Sequence, residues 1–280
     1  MKDRAYAKIN LCLDVVGKRD DGYHELNMIM VPVDFYDVLE MYPAAETSLS
    51  LNRSFLPVNE KNTIIKAIMV MQEMFHIENG FACTLQKHIP TRAGLAGGSA
   101  DAAAAIRMIN KMMNLRLSFR EMAEIGEKVG ADVPFCIYNV PAVVKGFGDI
   151  IQPFHCSPDF GVLLVKPKRG VSTKEAFAIV DQTEQPHPDV EAMRDALMNN
   201  DYEKIAASLG NSLEIASLQL VKEIRYIKER MLERGFDGAL MSGSGSTVFG
   251  ITRDMKLLEE VMTEMKAERF FVRKTRIMGY

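Results

Sequence analysis

An abrupt change from glycine to alanine constrains this chain more than any other feature. Residues 90–105 read PTRAGLAGGSADAAAA, with Gly94, Gly97 and Gly98 inside five positions and four alanines at 102–105. Alanine is the best helix former and glycine among the worst, so a flexible loop passes into a helix near Gly98 and Ser99. Glycine lets backbone N–H groups approach a ligand closely. The first N–H groups of a helix lack intrahelical partners and lie at its positive end. Together these properties make a site for an anion, most often phosphate. The plainer alternative is a glycine turn ahead of an alanine-rich helix.

The spelling of the loop separates it from the commonest phosphate loops. A P-loop needs G-x-x-x-x-G-K followed by Ser or Thr, and Gly97-Gly98-Ser99-Ala100 has no lysine. Gly94-Leu95-Ala96-Gly97 breaks the dinucleotide fingerprint G-x-G-x-x-G. The protein-kinase elements HRD and DFG are absent.

The loop instead resembles the ATP loop of the GHMP kinases, roughly P-x-x-x-G-L-(A/G)-G-G-S-S-(D/N)-A-A. Pro90, Gly94, Leu95, Gly97, Gly98, Ser99, Asp101, Ala102 and Ala103 match it. Five further segments, in the family's order, are similar to the branch of that family acting on a cytidine diphosphate-linked alcohol. They are Ala7-Lys8-Ile9-Asn10-Leu11, Asp21-Gly22-Tyr23-His24-Glu25-Leu26, Gly130-Ala131-Asp132-Val133-Pro134-Phe135, Gly170-Val171-Ser172-Thr173, and residues 241–249, MSGSGSTVF. The resemblance spans nearly the whole chain. It implies a kinase that uses ATP and Mg²⁺ to phosphorylate a small alcohol in isoprenoid precursor synthesis. It implies Lys8 and Asp132 as catalytic residues. For the nucleotide it implies Asn62, Pro90, Thr91, Arg92, Ala93, Gly94, Leu95, Ala96, Gly97, Gly98, Ser99 and Ala100. Asn10, Tyr23, His24, Gly243 and Ser244 fall on the substrate side, and no side chain is assigned as a metal ligand.

The residues themselves leave alternatives beside those roles. Asp132 is a lone carboxylate among small and apolar residues, where charges are rare unless paired. Its type fits a helix N-cap or a general base, and the resemblance implies the base. Lys8 interrupts an apolar strand and fits an outward-facing lysine. The resemblance pairs it with Asp132, where a cation keeps the carboxylate ionised and offsets charge on the phosphoryl group. Asn10, two residues on, shares its strand face. Tyr23 and His24 cover a core edge or, by resemblance, hold a pyrimidine by stacking and hydrogen bonding, with Phe177 a further flank. Residues 242–246 fit a hairpin turn or a second glycine loop approaching substrate or phosphate. Asn62 fits a helix N-cap and, by resemblance, a place near the adenine.

Three positions depart from the family pattern. Ala100 stands where a second serine is usual, Arg92 where a small residue is common, and Asn139-Val140 where a glycine pair is frequent. Lys8 and Asp132 are retained. Two other readings stay open: a GHMP kinase for a different alcohol, and a nucleotide-binding relative without catalysis.

Composition narrows the class. At 280 residues the chain suits one large domain or two moderate ones. A net charge of −3 argues against a nucleic-acid partner. Cys12, Cys83, Cys136 and Cys156 are scattered without a CxxC pair, against zinc or a disulfide framework. The opening MKDRAYAKIN has no apolar signal region, and no 18-residue apolar run follows. The expectation is a cytoplasmic protein with no membrane partner.

Periodicity predicts strands over 5–16 and 26–42 around a charged turn at 18–22, a helix over 62–75 and a strand over 81–88. The loop and a helix over 98–113 follow. Ser118 and Glu121 form a capping box for a helix over 119–129, and 133–138 reads as strand or short helix. A composition shift between Pro153 and Pro158 marks a domain boundary, and the resemblance implies an N-terminal ATP-binding domain, 1–155, before it and a C-terminal α/β sandwich domain, 156–280, after it. The second half shows a strand at 161–166, a capping box at Ser172 and Glu175, and three helical patterns across 188–234. Strands at 238–241 and 247–251, a helix at 255–266 and a strand at 269–277 close the chain. The fold class is α+β with two domains, and the resemblance implies the GHMP kinase fold.

Overall fold

A computed structural model describes residues 1–280. The chain forms two compact units. One comprises Met1–Lys8, Phe35–Thr91 and Ala96–Asn139, the other Ile9–Asp34, Arg92–Leu95 and Val140–Tyr280. The long strands β1 (Lys2–Lys18) and β2 (His24–Ala44) give residues to both.

In the first unit come β3 (Ser48–Leu51), α1 (Thr63–Phe75), β4 (Gly80–Gln86), α2 (Gly97–Met112), α3 (Phe119–Glu127) and α4 (Val133–Tyr138). β4 runs antiparallel to the far half of β2, from Val38 opposite Gln86 to Ala44 opposite Gly80, and β3 joins it in parallel. α2 packs against α1 and α4. The four alanines at 102–105 are wholly buried, and their small side chains let neighbouring elements approach the α2 backbone. Asn62 caps α1 by accepting the Ile64 N–H at 3.0 Å. Ser118 and Glu121 cap α3 reciprocally. Residues 133–138 form the helix α4 rather than a strand. It ends on Asn139 at φ 51°, a left-handed conformation that asparagine tolerates better than most residues. A common glycine position of the family is thus met by the other residue type suited to it.

The second unit contains β5 (Ala142–Gly146), β6 (Ile150–Pro153), β7 (Gly161–Lys166), α5 (Thr173–Val180), α6 (Val190–Met198), α7 (Tyr202–Ala207), β8 (Gly210–Asn211), α8 (Glu214–Leu220), α9 (Glu223–Arg234), β9 (Gly238–Met241), β10 (Val248–Thr252), α10 (Met255–Ala267) and β11 (Phe271–Thr275). Four strands make an antiparallel sheet in the order β11-β7-β10-β9. All six residues of β7 are buried, and α9 and α10 pack on this sheet. The near half of β2 pairs with β5, β5 with β6, and Cys12 and Leu13 of β1 lie beside β8 in parallel.

The α+β expectation holds, with local corrections. Residues 188–234 hold four helices rather than three, because Gly210 and Asn211 leave the helical pattern to form β8. Ser172 accepts the Glu175 N–H at 3.4 Å, only half of the expected box. β3, β5 and β6 carry no periodic pattern long enough to read in a sequence. No helix is long and apolar enough to cross a membrane.

Candidate active site

In the first unit, β1 carries Lys8 into the interior, where it is 4% exposed. The outward-facing alternative therefore fails. Asp132 occupies the N-cap position of α4 but makes no capping bond, so the capping alternative fails as well. Lys8 Nζ lies 3.8 Å from Asp132 Oδ2, and the carboxylate side chain is 36% exposed. At that separation the ion pair orients the carboxylate without occupying its oxygens in a hydrogen bond. An exposed, cation-paired carboxylate able to accept a proton is what a general base needs.

The same unit holds the start of α2. The helix begins at Gly97, and its N-cap is Ala96 in a left-handed conformation with no side-chain capping bond. Alanine is among the poorest N-caps. The first N–H groups of α2 are thus left to an external acceptor. The first intrahelical bond from this end runs from the Ala100 N–H to Ala96 O at 2.9 Å. Ala100 is also 2% exposed. It offers a ligand neither side chain nor N–H, which corrects its place among the nucleotide contacts. A serine hydroxyl there would enter the core. Gly97 and Gly98 are helical, not left-handed. What Gly97 supplies is close approach, since a Cβ would lie 2.8 Å from Ile89 Cγ2 and 2.9 Å from Lys87 Nζ. At Gly98 a Cβ would meet only Thr63, in ordinary contact at 3.5 Å. Thr63 Oγ1 donates to Gly98 O at 2.7 Å, tying α1 to the loop. The Asn62 amide is used at both ends, its oxygen capping α1 and its Nδ2 donating to Pro57 O at 2.8 Å. Pro90 is half-buried and Thr91 exposed.

In the second unit, Arg92 and Gly94 have positive φ, 50° and 73°. A Cβ at Gly94 would strike the Ser242 carbonyl oxygen, so this glycine is required on both counts. Ala93 and Leu95 are buried. Ser242 Oγ donates to Gly94 O at 2.9 Å, and the Thr247 N–H donates to Ala93 O at 3.2 Å. The 242–247 loop is packed rather than a free hairpin. Asn211 Nδ2 donates to Gly243 O at 2.8 Å, Ser217 Oγ to Ser244 O at 3.0 Å, and the Ser244 and Thr173 hydroxyls are 2.8 Å apart. Asn10 is fully buried, with its N–H 3.4 Å from Ser242 Oγ and its Nδ2 3.3 Å from Met28 Sδ.

Tyr23 is 62% exposed and leans over Phe147 at 5.8 Å. The His24 ring stacks on Phe177 at 4.4 Å, and its Nε2 lies 2.6 Å from Asp181 Oδ1. Lys18 Nζ reaches the other oxygen of Asp181 at 2.5 Å. Hydrogen bonds from Lys18 and His24 hold the Asp181 carboxyl below the usual carboxylate range. Asp181 carries no sequence signal, since it lies 157 residues from His24 and looks like an ordinary helix end. All four thiols are free and buried. Burial pushes Cys12 and Cys83 up to about 12, which makes them inert as nucleophiles at neutral pH.

The profile of the GHMP kinases N-terminal domain matches residues 62–140, and that of the C-terminal domain matches 193–270. The chain belongs to the GHMP kinase family and is an ATP-dependent small-molecule kinase. A 4-diphosphocytidyl-2-C-methyl-D-erythritol kinase from Geobacillus thermodenitrificans (strain NG80-2) is 43% identical to it over 280 residues, covering 99% of this chain and 96% of the relative. A crystal structure of 4-(cytidine 5'-diphospho)-2C-methyl-D-erythritol kinase is 28% identical, with a TM-score of 0.84 and all of both chains covered. Mevalonate kinase from L. major, with R-mevalonate, shares the fold at a TM-score of 0.77 and 17% identity, covering 100% of this chain and 96% of that one.

The contrast between the adjacent glycines is testable. Gly97→Ala should weaken ATP binding about tenfold, a cost of about 1.4 kcal/mol, because the added methyl presses on Lys87 and Ile89. Gly98→Ala should change ATP affinity less than about twofold, with the unfolding midpoint unchanged or raised, since alanine is the better helix former. Calorimetric titration and urea unfolding of both variants check this.

Proposed function

We propose that this chain transfers the γ-phosphoryl group of ATP to the 2-hydroxyl of 4-diphosphocytidyl-2-C-methyl-D-erythritol, a cytoplasmic step of isoprenoid precursor synthesis. Full-length similarity to kinases of that name supports the substrate. The single structural observation that carries the reaction type is the Lys8–Asp132 pair in the same unit as the uncapped start of α2. In this reading Asp132 takes the hydroxyl proton as the oxygen attacks the γ-phosphorus. The bond to the ADP oxygen breaks, and the proton later leaves to solvent. Lys8, 3.8 Å away, orients the Asp132 carboxylate and offsets charge on the transferring group. The loop at 90–99 receives the triphosphate on its backbone N–H groups. Tyr23 and His24, backed by Phe177 and Asp181, receive the cytosine through an aromatic face and an imidazole that donates or accepts. Asn10, Gly243 and Ser244 stand on the alcohol side, and Asn62 beside the adenine. Nucleotide binding is assigned to 1–155 and the remaining fold to 156–280.

Mg²⁺ is the metal this chemistry calls for. It usually keeps several waters and is held through one or two carboxylates plus substrate phosphates. When bound, the ion would be held beside the 90–99 loop through the triphosphate and would supply positive charge to the transferring group.

The substrate assignment is tested by ADP release over a panel containing the cytidine-linked alcohol, mevalonate and homoserine. Turnover confined to the first compound supports it, and preference for another overturns it. Asp132→Asn should lower kcat by about 10²–10⁴-fold with ATP affinity retained. Near-normal turnover would remove Asp132 as the base. His24→Ala should raise KM for the cytidine substrate by about tenfold, the worth of one lost hydrogen bond at a stacked site, and leave KM for ATP within about twofold. Equal changes in both constants would make His24 structural.

A further inference from the structure

Lys87 lies at the end of β4, three residues before the nucleotide loop, and is buried between two carboxylates. Its Nζ donates to Asp37 Oδ2 at 2.5 Å and to Asp101 Oδ2 at 2.6 Å. The side chains of Lys87, Asp37 and Asp101 are only 5%, 0% and 4% exposed. The other oxygen of Asp37 accepts the N–H groups of His88 at 2.5 Å and Ile89 at 2.8 Å, the two residues that lead into Pro90. Asp101 stands one turn inside α2, just past the loop's exit. Lys87 Nζ also lies directly under Gly97, where an added Cβ would come within 2.9 Å of it.

Ionic groups out of water cost free energy, and a buried ion pair is poor evidence of stability gained. Two acids around one base leave the cluster short of a positive charge. The retained benefit must therefore lie in what the cluster holds in place, and it holds the chain on both sides of one loop. We propose that the Asp37–Lys87–Asp101 cluster is the clamp that positions the nucleotide loop, with Lys87 as the positioning residue that joins the loop's entry to its exit. The proposal rests on the reading that residues 90–99 receive the triphosphate.

The charge balance of the cluster adds a second readout. Burial raises the Asp101 carboxyl to about 7, Asp37 pushes the same way, and Lys87 opposes. Burial would lower the Lys87 ammonium, but the two carboxylates outweigh that and leave it raised. From α4, Cys136 senses Asp101 together with Asp132, Lys8 and Arg107, and burial keeps its thiol neutral. The His88 ring is turned away toward Tyr36 O at 3.3 Å. Asp101 Oδ1 has no hydrogen-bond partner. Below about pH 7 Asp101 carries a proton, which offsets the excess negative charge of the cluster. Above it the cluster carries a net negative charge under the start of α2, opposing a triphosphate. The sign for folding is the same. Asp101 contributes most favourably below the ordinary aspartate range near about pH 4, and that contribution is lost as pH rises through about 7.

The test uses the full-length enzyme. Asp37→Asn/Lys87→Met/Asp101→Asn keeps the shapes. The amide oxygen introduced at position 37 still accepts the 88–89 N–H groups, but the link to α2 is gone. Calorimetric titration with MgATP should show affinity reduced about tenfold or more, the scale of one hydrogen bond to a charged group. KM for the alcohol should stay within about twofold, and the urea midpoint close to wild type. A folded triple variant that binds MgATP as wild type does overturns the clamp. Gly97→Ala is the companion. If it weakens binding while the triple variant does not, only the clamp fails. If neither does, the loop reading fails too. Asp101→Asn alone covers a triple variant that does not fold. Compared between pH 6 and pH 8.5, wild type should lose several-fold more MgATP affinity than this variant, and parallel pH profiles would overturn the proposal.

Discussion

The start of α2 has N–H groups with nothing in the chain to accept them. Most helices solve that problem with a serine, threonine, aspartate or asparagine at the N-cap. Here the position is Ala96 in a left-handed conformation, preceded by Gly94 at positive φ. No side chain supplies the energy of a cap here, at the positive end of a sixteen-residue helix, a place that favours an anion. Much of the first unit serves that open end. The alanines of 102–105 seat α2 deeply, Thr63 ties α1 to it, and the charged cluster below holds the chain on either side.

The departures from the family pattern take physical meaning from their surroundings. Ala100 turns into the core, so a missing hydroxyl there is a matter of packing more than of phosphate contact. Asn139 meets a left-handed helix end that a glycine would also satisfy. Arg92 is held at φ 50° with Gly170 close behind it, where a Cβ on the glycine would come within 2.8 Å of Arg92 Cβ. Lys8 and Asp132, to which the proposed reaction assigns the proton transfer and its charge balance, keep the family's residue types and stand as an ion pair.

Features written in short spacings are legible in the sequence itself. The loop-to-helix passage, expected near Gly98 and Ser99 and found at Gly97, the Asn62 cap and the Ser118–Glu121 box each depend on residues within a few positions of one another. Lys8 and Asp132 stand out because each charge interrupts an apolar run, although only the fold shows them 3.8 Å apart. Long-range pairings leave no such trace. Asp37 is 50 residues from Lys87 and Asp181 is 157 from His24, and in isolation each acid reads as an ordinary surface aspartate. The need for glycine at position 97 differs in kind from what its place in a flexible loop suggests. It is room beside Lys87 and Ile89 rather than an unusual backbone angle, and only the packing reveals that.

Phosphoryl transfer from ATP to one hydroxyl of a cytidine diphosphate-linked alcohol is the central claim, and phosphorus NMR tests it most directly. Incubation of the purified protein with MgATP and 4-diphosphocytidyl-2-C-methyl-D-erythritol should produce a new phosphomonoester resonance, equal in amount to the ADP formed. The diphosphate of the substrate should remain intact. ADP accompanied only by inorganic phosphate, or a product whose diphosphate is cleaved or extended, would contradict it.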